Sequence, residues 1–200
     1  MNCQRNIKDN NILAEANKLH KQALIVLSNL KVRKVLSTYG KLEVFGSLSY
    51  GLMTWEEIDL DLITKKNPDD ENYWKIVKHF FSLSSIKLVA LADNRQGKEK
   101  NRPKSMYIGL RYEDSQNKTW KIDIRILREQ NVTSDAVSKL INDQMTDSHK
   151  MYILQIKSQV CHNPSYHKDF SSIDIYKAVI EDGVKTLAQF KNYLIQSSKK

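Results

Sequence analysis

Val44-Phe45-Gly46-Ser47 and, after eleven intervening residues, Asp59 within Ile58-Asp59-Leu60-Asp61-Leu62-Ile63 are the stretches that decide the fold. Successive side chains of a strand point to opposite faces. Ile58, Leu60 and Leu62 therefore share a core face, and Asp59 and Asp61 share the other. Two residues of rise place these carboxylates about 6.5 Å apart along the strand. Bare carboxylates at that spacing repel, and an unpaired buried charge is costly, so a positive partner is expected between them. Divalent cations bound by carboxylate oxygens suit that role.

Working outward, Trp120-Lys121-Ile122-Asp123-Ile124-Arg125-Ile126 alternates in the same way. Ile122, Ile124 and Ile126 form an apolar face; Lys121, Asp123 and Arg125 form a charged one. If the two strands lie close in one sheet, Asp123 completes a three-carboxylate cluster. Upstream, Gly46 permits close approach of backbone to a ligand, and Ser47 offers its hydroxyl and nearby N–H groups to an anion such as phosphate. Each piece has a plainer reading: a solvated strand face, a turn, a surface charge ladder. Their order and spacing in one chain argue for a site.

The surrounding pattern predicts a helix over 12–30, strands over 41–45, 58–63, 86–91, 106–112 and 119–127, and a helix over 71–83. The residues Tyr73, Trp74, Ile76, Val77, Phe80 and Phe81 are expected to face inward on that last helix. Asn67-Pro68-Asp69-Asp70 reads as a loop carrying helix-capping residues. Helices are expected over 133–160 (one long or two broken), 173–180 and 184–195. The order predicts an α/β (α+β) fold, a mixed sheet with helices, divided into residues 1–130 with the N-terminal helix and a C-terminal helical region, 131–200.

The chain has 200 residues, with 32 Lys and Arg against 23 Asp and Glu, a formal net charge of +9. That balance favours anionic partners such as nucleotides or RNA. No apolar run approaches the roughly 18 residues that cross a bilayer, so no membrane role is expected. The start of the chain is too polar for a secretory signal. The cysteines, Cys3 and Cys161, are too far apart for a metal motif and suit a reducing compartment, so a cytoplasmic location is expected.

Val44-Phe45-Gly46-Ser47, the spacing to Asp59-Leu60-Asp61 and the later strand with Asp123 together resemble the DNA polymerase beta-like nucleotidyltransferase superfamily. The resemblance covers about 41–127. It implies metal-dependent transfer of a nucleoside monophosphate from a nucleoside triphosphate to an acceptor hydroxyl, with release of pyrophosphate. Asp59 and Asp61 would hold two Mg²⁺ ions, which Mn²⁺ can replace. Asp123 would bind the ion nearer the acceptor and assist its deprotonation. Gly46 and Ser47 would bind the β- and γ-phosphates. Arg125 either contacts phosphate or acceptor, or balances the acidic cluster. Arg111 is a similar, weaker case.

The acceptor stays open among a small antibiotic-like hydroxyl compound, RNA or tRNA, and a protein side chain. A nucleotide-binding or antitoxin-like module without turnover is the remaining reading. The C-terminal helices are expected to recognise acceptor, cover the cleft or mediate homodimer contacts. Tyr50 and Trp55 read mainly as packing residues. His162, His167 and Cys161 read as a loop without catalytic partners. The basic run 95–104 reads as solvated charge, with an anionic acceptor as the alternative.

Overall fold

In a computed structural model, residues 2–65, 69–98, 103–129, 136–160, 163–166 and 168–197 are described, 2–10 by backbone alone. The chain forms two compact units. The sheet unit comprises 20–50 and 56–134; the helical unit comprises 1–19, 51–55 and 135–200. The expected division at residue 130 lies outside the described residues.

The sheet unit carries β1 (Lys41–Phe45), β2 (Glu57–Thr64), β3 (Ile86–Asp93), β4 (Ser105–Glu113) and β5 (Thr119–Arg128). Their spatial order is β1-β2-β5-β4-β3. β2 and β5 run parallel, and the other neighbours are antiparallel. This is the mixed sheet that the alternating runs predict. Alternation becomes rows of side chains across the sheet. Ile58 stands beside Ile122, Leu60 beside Ile124 and Leu62 beside Ile126, and these continue to Leu110, Ile108 and Met106 of β4. All nine are buried. Full burial of one such side chain contributes about 1.5–3 kcal/mol, so this face is the main adhesive of the sheet.

The β4–β5 turn sets the register of β5. Asp114 accepts hydrogen bonds from the Gln116 and Lys118 amides and from Trp120 Nε1, at 2.8, 3.0 and 3.0 Å. Burial works against the ionised form of Asp114, but these donors outweigh it and hold its pKa below the ordinary value. Trp120 is fully buried, which anchors the start of β5.

A helix, α4 (Asp70–Phe81), is capped by Asp69, which accepts from the Asn72 amide at 2.7 Å. Tyr73, Ile76, Val77 and Phe80 are buried as expected. Trp74 and Phe81 are not: they are 49% and 73% exposed. Seven residues apart, they share one stripe, and that stripe points away from the buried one. A short helix, α2 (Val32–Leu36), occupies what reads in sequence as a basic connector; Val32 and Leu36 are buried while Arg33 and Lys34 face solvent. α1 (Asn2–Asn29) and α3 (Gly46–Tyr50) complete the early elements.

The helical unit holds α5 (Ala136–Gln144), α6 (Asp147–Val160), α7 (Ser172–Ile180) and α8 (Leu187–Ser197). The expected 133–160 helix is thus broken in two. Ser171 and Asp174 form a reciprocal capping box at the start of α7. The segment 51–55 is held by Lys157, a fully buried lysine. Its ammonium donates to the Leu52 carbonyl at 2.8 Å and lies 4.7 Å from the Trp55 ring centre. Trp55 also meets Tyr166 edge-on, so its role in this unit is packing.

Candidate functional site

The polar face of β2 presents Glu57, Asp59 and Asp61 in line, and that of β5 presents Lys121, Asp123 and Arg125. Parallel pairing sets Glu57 beside Lys121, Asp59 beside Asp123 and Asp61 beside Arg125. The two outer pairs are of opposite charge, and the middle pair is of like charge. Four carboxylates against two cations leave an excess of two negative charges when all are ionised. That is the charge a divalent cation neutralises.

The outer pairs are made differently. Arg125 grips Asp61 with a two-pronged fork, Nε to Oδ1 at 2.7 Å and Nη2 to Oδ2 at 2.8 Å. The same guanidinium lies 4.2 Å over the Phe45 ring, which fixes it from the β1 side. Lys121 Nζ is 2.6 Å from Glu57 Oε1 and 2.9 Å from Asp123 Oδ2, bridging the two. Burial opposes the Lys121 charge, but hydrogen bonds and charges of Glu57 and Asp123 win and raise its pKa.

Asp59, in the middle, is left without such a partner: among the described residues no ion pair or hydrogen bond reaches it. Its pKa is pushed up to about 7, first by burial, then by the charges of Glu57 and Asp123, with Lys121 and Arg125 pulling the other way. Glu57, Asp59 and Asp123 each offer one oxygen, all within 4.8 Å of one another. Hard oxygen donors at that spacing fit Mg²⁺ or Mn²⁺. The fit is supported by the Lys121 ammonium, a positive group that already bridges two of the three.

Two glycines give the cluster its shape. Gly46 sits at φ 68°, at the end of β1, and a Cβ there would lie 2.6 Å from Asp59 Oδ2. Gly109 of β4 stands beside Asp123, and a Cβ there would collide with the Tyr107 hydroxyl. The bare backbone lets the Tyr107 ring cross over, and its hydroxyl donates to Asp123 Oδ1 at 2.8 Å. Burial, then the charge of Asp123 and this hydrogen bond, push the Tyr107 pKa up to about 12, so it remains a donor.

The structure therefore brings Asp59 and Asp123 together, adds Glu57, and holds Asp61 to Arg125. Glu57 joins this cluster, although the Asp59-Leu60-Asp61 pattern does not single it out. The sequence carries one signal for it: Glu57 falls on the same strand face as Asp59 and Asp61. Ser47 lies on α3, which packs against β1 and β2. Arg95 of the basic run is tied to Asp93 and Asp70, both at 2.7 Å. Residues 99–102, Cys161, His162 and His167 lie outside the described residues. A cleft of about 610 Å³ is elsewhere, at the far end of β2 beneath α4, lined by Leu62, Ile126, Tyr73 and Ile76.

No protein-family model matches the sequence, and no curated protein matches it. Solved structures do match the fold. A Cid1 poly(U) polymerase bound to MgATP superposes with a TM-score of 0.63 at 15% identity, over 90% of this chain and 55% of that one. A second Cid1 structure, described for RNA terminal uridylyl transferase activity, gives 0.60 at 15% identity, over 87% and 52%. A third Cid1 poly(U) polymerase structure gives 0.57 at 16%, over 86% and 52%. The chain spans about half the length of these proteins. Its fold is similar to that of these poly(U) polymerase structures.

Proposed function

We propose that the chain transfers a nucleoside monophosphate from a nucleoside triphosphate to an acceptor hydroxyl. The observation that carries this reading is the Glu57–Asp59–Asp123 oxygen cluster, on a sheet shared with nucleotidyltransferases. In this reading Glu57 takes the ligand place that the sequence suggests for Asp61, and Asp61 becomes the partner that orients Arg125. When bound, Mg²⁺ would neutralise charge on the transferring phosphoryl group and on the attacking oxygen. Glu57, Asp59 and Asp123 would hold it. Gly46, lacking a side chain, lets its backbone lie directly against the Asp59 carboxylate, and Ser47 would offer its hydroxyl to the β- and γ-phosphates. Tyr107 holds Asp123 through one oxygen and leaves the other carboxylate oxygen to face the cluster. Positioning and electrostatics supply most of the catalysis in such transfers.

Among acceptors, an RNA terminal hydroxyl is favoured by the net charge of +9 and by the RNA-tailing activity named for the neighbours. A small hydroxyl compound is the second reading. The test uses each of the four triphosphates labelled at the α-phosphate, with Mg²⁺ and a short single-stranded RNA. Label should enter the RNA with one preferred base. Substituting Asp59→Asn or Glu57→Gln should cost at least about 10²-fold in rate, the scale of losing a key electrostatic group. Transfer unaffected by both substitutions would reject the site. Transfer to no RNA but to small alcohols would select the second reading.

A further inference from the structure

Lys121 stands across from Glu57 and two residues before Asp123 on the same strand face, so one flexible side chain reaches both carboxylates. Both contacts are short, 2.6 and 2.9 Å. Glu57 and Asp123 are two of the three oxygens in the cluster above. An ammonium and a divalent cation therefore claim the same charge in the same space. We propose that Lys121 is a tethered counter-ion: it holds Glu57 and Asp123 together in the metal-free protein and is displaced when a divalent cation enters beside Asp59. This rests on the metal reading under Proposed function.

The two cations of β5 are built for different tasks. Arg125 is planar, forked onto Asp61 and stacked on Phe45, and it has no cause to leave. Lysine is a point charge on a stem with several free torsions, and it gives up a partner more readily. The Lys121 side chain is 36% exposed, so the ammonium has a path to water, whereas Glu57 and Asp123 are 14% and 17% exposed and stay in place. The lysine also satisfies only two of the three carboxylates. Asp59, which it does not reach, is where a divalent ion gains more than an ammonium can. Without Lys121, Glu57, Asp59 and Asp123 would repel before any ion arrived and would splay. With it, they are kept near binding geometry at the cost of some affinity.

The test measures Mn²⁺ alone, by electron paramagnetic resonance of the free ion, on the full chain without nucleotide. Wild type, Lys121→Met, Asp59→Asn and Glu57→Gln are compared, each after its melting curve shows a folded protein. Removing a positive charge this close to the ion should tighten Mn²⁺ binding at least about tenfold in Lys121→Met. Equal or weaker binding by Lys121→Met, with wild-type binding lost in Asp59→Asn, overturns the role of Lys121 and leaves the metal site standing. Absence of binding in both wild type and Lys121→Met overturns both. A second measurement needs no variant: acylation of Lys121 by an amine-reactive ester, read by mass spectrometry. Labelling should rise several-fold when Mg²⁺ is added. Unchanged or reduced labelling at a concentration where Mn²⁺ binding is established overturns the displacement.

Discussion

Asp59→Asn should make the metal-free protein more stable at alkaline pH, although it removes the central carboxylate of the site. The folded chain raises the Asp59 pKa from 3.8 to about 7. In the unfolded chain this proton leaves near pH 4. Between pH 4 and 7 the folded state binds the proton and the unfolded state does not. Stability therefore falls as pH rises through that window and stays low above it. Three units at 1.36 kcal/mol each set an upper bound of about 4 kcal/mol. The site is open on one side to water, which screens the charges, so about 2 kcal/mol is the expected gain for the isosteric amide. For a chain of this size that corresponds to roughly 4–8 °C in melting temperature. The assay is urea or thermal unfolding in EDTA at pH 4.5 and 8. The gain should be complete at pH 8 and no more than about half as large at 4.5. With Mg²⁺ at 100 times its dissociation constant the order should reverse, because wild type alone gains about 2.7 kcal/mol by binding. An Asp59→Asn protein that is less stable than wild type at pH 8 in EDTA refutes the argument that its neighbours disfavour this charge.

Asp61→Asn should leave Mn²⁺ affinity within about threefold and cost about 1 kcal/mol of stability through the loosened, partly exposed Arg125 fork. Glu57→Gln should weaken Mn²⁺ at least tenfold on the scale of losing a charged ligand; the opposite ranking by titration returns the ligand role to Asp61. Gly46→Ala should cost about 1–2 kcal/mol for its left-handed backbone and weaken Mn²⁺ by pressing on Asp59; a variant with wild-type affinity shows that Asp59 has room to move. Gly109→Ala should cost about 2–4 kcal/mol, because it drives the Tyr107 ring off its strand, and Tyr107→Phe only about 1–2 kcal/mol. Equal costs in urea unfolding would show that the ring is not held by the missing Cβ.

Much of the sheet could be read from the chain because its cause is local. Strict alternation in Ile122, Ile124 and Ile126 against Lys121, Asp123 and Arg125 announces a strand with one buried face. The nearness of Asp59 to Asp123 is a different matter, since it depends on which strands become neighbours. The ambiguity at the site has the same origin. Glu57, Asp59 and Asp61 all share one face, and only the register Asp59 to Asp123 decides which of them flank the β5 carboxylate. Arg125, two residues further along β5, then takes Asp61. Trp74 and Phe81 were misplaced because apolar character alone does not fix helix phase; the stripe through Tyr73, Ile76, Val77 and Phe80 was the better guide. α2 was missed since five residues are too few to show a period.

The parallel seam between β2 and β5 also governs how the molecule is made. β5 is the last strand of the sheet to be synthesised, yet it lies between β2 and β4. The antiparallel pair β1–β2 and the pair β3–β4 can each form from neighbouring segments, but β2 meets β5 only after some sixty residues have been looped out. Closing so long a loop is slow, and contacts of high sequence separation form late. Until then each hairpin carries an open edge, the surface from which chains aggregate. The final docking of β5 is the step that brings the acids into repulsion. It is also the step at which Lys121 and Arg125 arrive on the same strand, so the chain delivers the cations together with the charge they offset.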